Sequence, residues 1–196
     1  MERIATAGLV LAAGLSSRFG SAKLLAGLDG RPILQHVLDL ATAASLDPVV
    51  VVVNDRITHD QSIAWRDELR VTNPQPESGI SGSLRLGLAA LRASPAQRVL
   101  VLLADQPVLD RAQVEAILAS VPIAARPFVV PRYGGAPGNP VLLERSAWSL
   151  AAGLSEDRGM VQVFADRPEL VRYVDLPGAN PDVDTPEDLA ALSRDA

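Results

Sequence analysis

Apolar runs of strand length recur along the chain at residues 4–13, 48–53, 69–72, 99–103, 128–131 and 171–176. They are continuous stretches of Val, Leu and Ile bounded by turn residues, the pattern of strands buried on both faces of a parallel sheet. Between them the apolar positions change period. Ile33, Val37, Leu38 and Ala41 fall at i, i+4, i+5 and i+8, on one face of a helix, and Leu84, Leu88 and Leu91 repeat at four and three residues. Asp110 is placed to cap a helix carrying Val114, Ile117 and Leu118, and Thr185-Pro186-Glu187 opens a last helix with proline in its first turn. Strands alternating with helices predict an α/β chain, a three-layer αβα arrangement around a mostly parallel, twisted sheet. No internal repeat or linker interrupts the series, so residues 1–196 are expected to form one domain. The Pro/Gly-rich stretch 131–140 predicts a long loop, a kind more often functional than idle.

Bulk properties narrow the function classes. Apolar residues make up 48% and charged residues 21%, as in a folded globular chain, but aromatic residues are only 4%, so Ala, Leu and Val must build the core. A net charge of −5 argues against a general nucleic-acid binder. The absence of cysteine excludes disulfides and thiolate metal sites. No apolar run is long enough to span a membrane. Arg3 followed by residues 4–15 has the outline of a secretory signal, but Glu2, Gly8, Gly14 and the direct continuation into Leu24-Leu25 argue against one. The expected location is the cytoplasm.

The chemistry concentrates first in residues 11–23, Leu-Ala-Ala-Gly-Leu-Ser-Ser-Arg-Phe-Gly-Ser-Ala-Lys. An apolar strand opens there into a Gly/Ser-rich loop, whose backbone N–H groups can face an anion while Arg18 and Lys23 add positive charge. Neither G-x-G-x-x-G nor G-K-[ST] is present, so this is neither a dinucleotide fingerprint nor a Walker A loop.

A second constellation is Val99-Leu100-Val101-Leu102-Leu103-Ala104-Asp105-Gln106-Pro107. A carboxylate at the carboxyl end of a buried strand stands where open α/β sheets bind ligands, and Asp105 there suits Mg²⁺ shared with phosphate oxygens. Asp182 and Asp184 alternate along an extended segment and so share a face. They read either as completing a metal site, with Asp184 the stronger candidate, or as solvated acids ahead of a helix capped by Thr185. Residues 73–84 lead from a strand into a helix: Gly79 and Gly82 permit close backbone approach, and Ser81 and Ser83 supply hydroxyls near the helix start that suit reading a base or ribose or simply cap the helix, with Asn73, Gly79 and Ser83 the candidate nucleotide contacts. Gly138-Asn139-Pro140 offers a backbone-shaped wall for an acceptor pocket, or a tight turn. His36 and His59 lack a metal-spaced partner, and Ser16 and Ser17 lack the context of a hydrolase triad.

These motifs, in this order, resemble those of the MobA-like nucleotidyltransferases, and within them the molybdenum cofactor cytidylyltransferases. The likeness rests on L-A-A-G-L-S-S-R-F-G-S-A-K-L-L at 11–25, G-x-P-I-L-x-H at 30–36, and Asn73-Pro74 with Gly79 and Ser83-Leu84. It continues through L-A-D-Q-P at 103–107, G-N-P at 138–140 and D-V-D-T-P-E-D-L at 182–189. The resemblance implies a Rossmann-like fold of the nucleotide-diphospho-sugar transferase type. It implies a first loop (Leu11, Ala12, Ala13, Gly14, Ser16) that holds a nucleoside triphosphate, with Arg18 and Lys23 on its phosphates and Asp105 on Mg²⁺. A-A-G in the first loop goes with pyrimidine donors and A-G-G with GTP, so CTP is the favoured donor. The implied reaction passes CMP to a phosphorylated acceptor such as molybdopterin, releasing pyrophosphate, with a molybdoenzyme or its chaperone as a further candidate partner.

Two segments depart from the family pattern. Asn54 stands where relatives usually carry glycine after the second strand, which bears on the base or ribose contact. Residues 155–161 keep the Asp and Gly of a late G-D-x-G-x-R element but lack its arginine, with Arg158 as the substitute at hand. The rival readings are a sugar-phosphate or isoprenoid-precursor nucleotidyltransferase, a guanylyltransferase using GTP, and a nucleotide-binding maturation or regulatory protein without catalysis.

Overall fold

The computed structural model describes residues 4–16, 19–20, 22–120, 126–153 and 160–193. In chain order the strands are β1 (Thr6–Ala12), β2 (Gly27–Leu28), β3 (Arg31–Pro32), β4 (Val49–Val53), β5 (Leu69–Thr72), β6 (Arg98–Leu103), β7 (Phe128–Tyr133), β8 (Ala136–Pro137), β9 (Val141–Glu144) and β10 (Val171–Leu176). The helices are α1 (Ile33–Ala43), α2 (Asp55–Thr58), α3 (Gly79–Ala90), α4 (Arg111–Ala119), α5 (Trp148–Ala152), α6 (Met160–Asp166) and α7 (Pro186–Leu192).

The main sheet runs β10-β7-β9-β6-β1-β4-β5, and β8 folds back onto the end of β7. β1 is central and parallel to both β4 and β6, β4 is parallel to β5, and β7 is parallel to β10. β9 runs against both of its neighbours, β6 and β7. β2 and β3 form a separate two-stranded ribbon.

The strand pattern explains the layering. Val10, Ala12, Val51 and Val53 point to one face of the sheet, against Ile33, Leu34, Val37 and Leu38 of α1 and Val114 and Ile117 of α4. Ala7, Leu9, Leu11, Val50 and Val52 point to the other, against Leu84 and Leu88 of α3 and Ala151 of α5. Every β1 residue is buried, because helices cover both faces of the sheet and alternate side chains of one strand feed two cores. The architecture is the expected αβα sandwich, and four of the expected apolar runs around the centre become the parallel strands β1, β4, β5 and β6.

The expected loop at 131–140 is corrected. β7 continues through Tyr133, Gly134 and Gly135 turn the chain at φ 57° and 88°, and β8 returns before the chain enters β9. Glycine at two consecutive positive-φ positions makes that reversal cheap, and the three apolar residues Val141-Leu142-Leu143 after a proline carried too weak a pattern to mark β9.

α3 lies close on β1. A Cβ at Gly87 would sit 2.2 Å from Leu9 Cδ1 and 2.9 Å from Cδ2, and Leu9 is fully buried with no room to retreat. Glycine inside a helix ordinarily costs about 0.5–1 kcal/mol relative to alanine, but overpacking a core costs about 1–3 kcal/mol. Gly87→Ala is therefore expected to lose about 1–2 kcal/mol, read as a lower urea midpoint with unchanged slope. A stability equal to or above the parent would show that α3 can lift from β1 at no cost.

Candidate active site

β1, β4, β5 and β6 point the same way, so residues 13–16, 54, 73 and 104–106 all leave the sheet at one edge, the carboxyl ends where open α/β sheets bind ligands. A cavity of about 410 Å³ opens there. From the first loop it is lined by Leu11, Ala13, Gly14, Leu15 and Ser16, and from the following turn by Lys23 and Leu24. Pro76, Glu77, Gly79, Ile80 and Ser83 supply a second wall, and Leu103, Asp105, Asp182 and Asp184 the third.

The first loop is held by strained backbone rather than by packing. Ser16 has φ 54°, the left-handed region that a non-glycine residue rarely adopts, and its carbonyl accepts the N–H of Phe19 at 3.1 Å. Asn54 donates from Nδ2 to the Gly14 carbonyl at 3.4 Å while its Oδ1 caps α2 through Ile57 N–H at 3.2 Å. The residue that departs from the family pattern thus braces the loop. A short 3₁₀ turn at Lys23–Leu25 then buries the Lys23 side chain to 10% exposure.

Burial of an ammonium requires charged partners. Lys23 Nζ donates to Asp105 Oδ2 at 2.8 Å and to Asp184 Oδ1 at 3.2 Å. Asp105 stands two residues beyond β6, after Ala104, whose N–H still bonds the Leu11 carbonyl at 3.1 Å and continues the β1–β6 ladder. Asp184 is fixed from the helix side: Asp188 Oδ2 accepts both the Asp184 N–H at 3.0 Å and the Thr185 N–H at 2.8 Å, in the capping box that starts α7. Thr185 is the predicted cap, and the two acids flanking Val183 do share the cavity face. Partial desolvation at the cavity edge pushes the Asp182 carboxyl above the usual carboxylate range. The charges of Asp105 and Asp184 add to that push, while a hydrogen bond from Gln106 and the charge of Lys23 oppose it.

Asn73 and Ala12 take other places. Asn73 is buried beneath the wall, its Nδ2 donating to Ser83 Oγ at 3.1 Å and its Oδ1 accepting Gln75 N–H at 2.9 Å, so it shapes the 73–83 segment from behind. The Ala12 side chain packs in the core on the α1 face. Gly138, Asn139 and Pro140 lie outside this lining, in the turn between β8 and β9. There the Asn139 carbonyl accepts from Tyr133 Oη at 3.1 Å and from Asn180 Nδ2 at 3.0 Å. Burial, with Asp110 adding, pushes the Tyr133 phenol up to about 12, which keeps it a donor. Arg18 and the 155–159 element lie outside the described residues.

Sequence reasoning missed Leu15 and Ile80, which stand 60% and 53% exposed at the cavity mouth. A large apolar residue inside an otherwise polar, glycine-bearing loop was the available signal. Gln106 was also missed: it is 7% exposed, and its position after Asp105 was the only hint.

Two carboxylates with a lysine between them, in a cavity also lined by the Gly/Ser loop and the N-terminal turn of α3, are groups able to offset an anion's charge and to hold a divalent cation. Among the described residues no group of three or more His, Cys, Asp or Glu forms a metal cage, and no helix is long and apolar enough to cross a membrane. The donor chemistry fits a hard cation that takes one or two carboxylates from protein and its remaining ligands from phosphate and water.

Comparison with known proteins gives the family and the fold. The family model of the MobA-like NTP transferase domain matches residues 8–176. The purine catabolism protein PucB of Bacillus subtilis is 30% identical over 202 residues, 95% of each chain. A probable molybdenum cofactor guanylyltransferase of Bacillus cereus is 49% identical over a short stretch, 26% of this chain and 25% of its own. The structure of Rv0371c from Mycobacterium tuberculosis superposes with TM-score 0.86 at 28% identity, over 98% of this chain and 100% of that one. A complex of Rv0371c with manganese superposes at TM-score 0.76 and 25% identity, over 97% and 99%.

Proposed function

The chain belongs to the MobA-like NTP transferase family, and we propose that, as one nucleotidyltransferase domain in the cytoplasm, it passes CMP from CTP to a phosphorylated pterin-type acceptor such as molybdopterin. The observation that carries this reading is Lys23 Nζ held at 2.8 and 3.2 Å from Asp105 and Asp184 in a cavity that the Gly/Ser loop also lines. The Ala12-Ala13-Gly14 loop supports the pyrimidine donor. The molybdenum cofactor guanylyltransferase among the relatives supports the acceptor class. A molybdoenzyme or its chaperone is the proposed recipient of the product.

The chain's own groups do the placing. Backbone amides from Ala13 to Ser16 face the triphosphate, and Lys23, joined by Arg18, offsets charge on its oxygens. Asp105 and Asp184 are the residues that would hold Mg²⁺, with the manganese complex of Rv0371c supporting a divalent cation. Held by those carboxylates, such a cation would supply positive charge against the departing pyrophosphate. An oxygen of the acceptor phosphate attacks the α-phosphorus, forming one P–O bond as the bond from the α-phosphorus to the bridging oxygen breaks, and pyrophosphate carries that electron pair away. The attacking oxygen is already ionised, so no general base is required, and positioning dominates the rate.

Pyrophosphate release should be followed with molybdopterin and each of CTP, GTP, UTP and ATP in Mg²⁺. CTP is expected to exceed GTP in kcat/KM by about tenfold or more, the discrimination that one set of base-edge hydrogen bonds supports. Preference for GTP would make the enzyme a guanylyltransferase. Mg²⁺-dependent binding of CTP without pyrophosphate release from any phosphorylated acceptor would make it a nucleotide-binding maturation protein.

A further inference from the structure

Gln106 follows Asp105 and is almost fully buried. Its amide clasps residues 180–182. Nε2 donates to Asp182 Oδ1 at 2.7 Å and to the Asn180 carbonyl at 3.3 Å, and Oε1 accepts from Asn180 Nδ2 at 2.9 Å. Asn180 Nδ2 also donates to the Asn139 carbonyl, and Val183 N–H bonds the Asp105 carbonyl at 2.9 Å. Residues 180–183 are thus stitched along the end of β6 by two consecutive residues, one using its backbone and the next its side chain.

We infer that Gln106 is a positioning residue: with Asn180 it fixes the incoming half of the segment that carries Asp184, so that Asp184 meets Asp105 across the metal site. This rests on the transferase reading above. The outgoing half of that segment is already pinned by the Thr185–Asp188 capping box. With Gln106 replaced, the hydrogen bonds given above that still hold residues 180–183 are those from Val183 N–H to the Asp105 carbonyl and from Asn180 Nδ2 to the Asn139 carbonyl. Because Asn180 also grips the Asn139 carbonyl, the same pair ties the carboxylate segment to the Gly138-Asn139-Pro140 turn, which is otherwise separate from the cavity. A residue that touches neither metal nor substrate but orients a ligand-bearing segment typically alters metal affinity about 10–100-fold.

The test is Mn²⁺ titration, read by the electron paramagnetic resonance of free Mn²⁺, with and without CTP, on the parent, Gln106→Met, Asn180→Leu and the double variant, with thermal melts alongside. Both single variants are expected to bind Mn²⁺ about tenfold or more weakly. The double variant is expected to be no weaker than the poorer single, because the amide pair acts as a unit. Turnover at saturating metal should recover to within several-fold. Mn²⁺ affinity within twofold of the parent in Gln106→Met overturns the inference, whatever the melting temperature does, since a merely structural amide would lower the melt without moving the metal constant. If Gln106→Met does not fold, unchanged affinity in Asn180→Leu overturns it equally. A parent that binds no Mn²⁺ in either condition overturns the transferase reading and this inference with it, an outcome distinct from equal binding by parent and variant.

Discussion

Turnover in Asp105→Ala is expected to fall by about three orders of magnitude while the protein stays folded. Asp105 projects from the carboxyl end of β6 and meets the cavity together with Asp184 and Lys23. A bound cation contributes several kcal/mol to charge stabilisation in phosphoryl chemistry, and about 4 kcal/mol corresponds to about a thousandfold in rate. The fold tolerates the loss because the Asp105 side chain is 27% exposed, the backbone bonds of Ala104 to Leu11 and of Val183 to the Asp105 carbonyl do not depend on the carboxylate, and Lys23 keeps Asp184. The measurement is pyrophosphate release with CTP and acceptor, in Mg²⁺ and in Mn²⁺, with a thermal melt for integrity. Partial recovery in Mn²⁺ is the signature of a weakened metal site. Turnover near that of the parent in a folded variant would remove Asp105 from the mechanism.

Lys23→Ala is expected to cost about 100- to 1,000-fold in kcat, the range seen when one preorganised donor to developing charge is removed. Its ammonium is nearly buried, in the cavity that the first loop also lines. It therefore lies in a region where electrostatic interactions are worth more than in water. The substitution also leaves Asp105 and Asp184 facing each other without the cation they share, which weakens binding of any anion nearby. The KM for the nucleotide should rise while kcat falls, since Lys23 would hold phosphate in both ground and transition states. A variant that loses only affinity and reaches the parent's kcat at saturating nucleotide would confine Lys23 to binding. One that changes neither constant would leave it as an internal counter-ion.

Both predictions concern residues legible in the linear pattern of the chain, and the reason is chemical. A lysine that ends a Gly/Ser loop and an aspartate that ends an apolar strand have few ordinary structural explanations, so residue type and position within the pattern suffice to single them out. The pairing of Asp182 and Asp184 on one face also follows from the period of an extended chain. The sheet centre is equally legible: continuous Val/Leu runs at 48–53 and 99–103 have few other readings. The periphery is not. β9 is four residues long and α5 five, too short for periodicity to register, and β8 exists because two glycines reverse the chain. Asn73 shows a different limit. Its motif marks it as touching ligand, whereas in the fold it braces Ser83 from behind, because buried amides are useful for either task.

Local period and residue chemistry, which a linear pattern carries in full, were enough to dictate the αβα layering, the Gly/Ser loop at the end of β1 and the choice of Lys23, Asp105 and Asp184 as candidates. Folding in three dimensions was needed to put Lys23 between the two aspartates, 82 and 161 residues away along the chain, and to lock Gln106 and Asn180 together across 74. Contacts over such separations depend on strand order and on the exit angles of loops at the sheet edge. Those are fixed jointly by packing on both faces of the sheet and by no single segment.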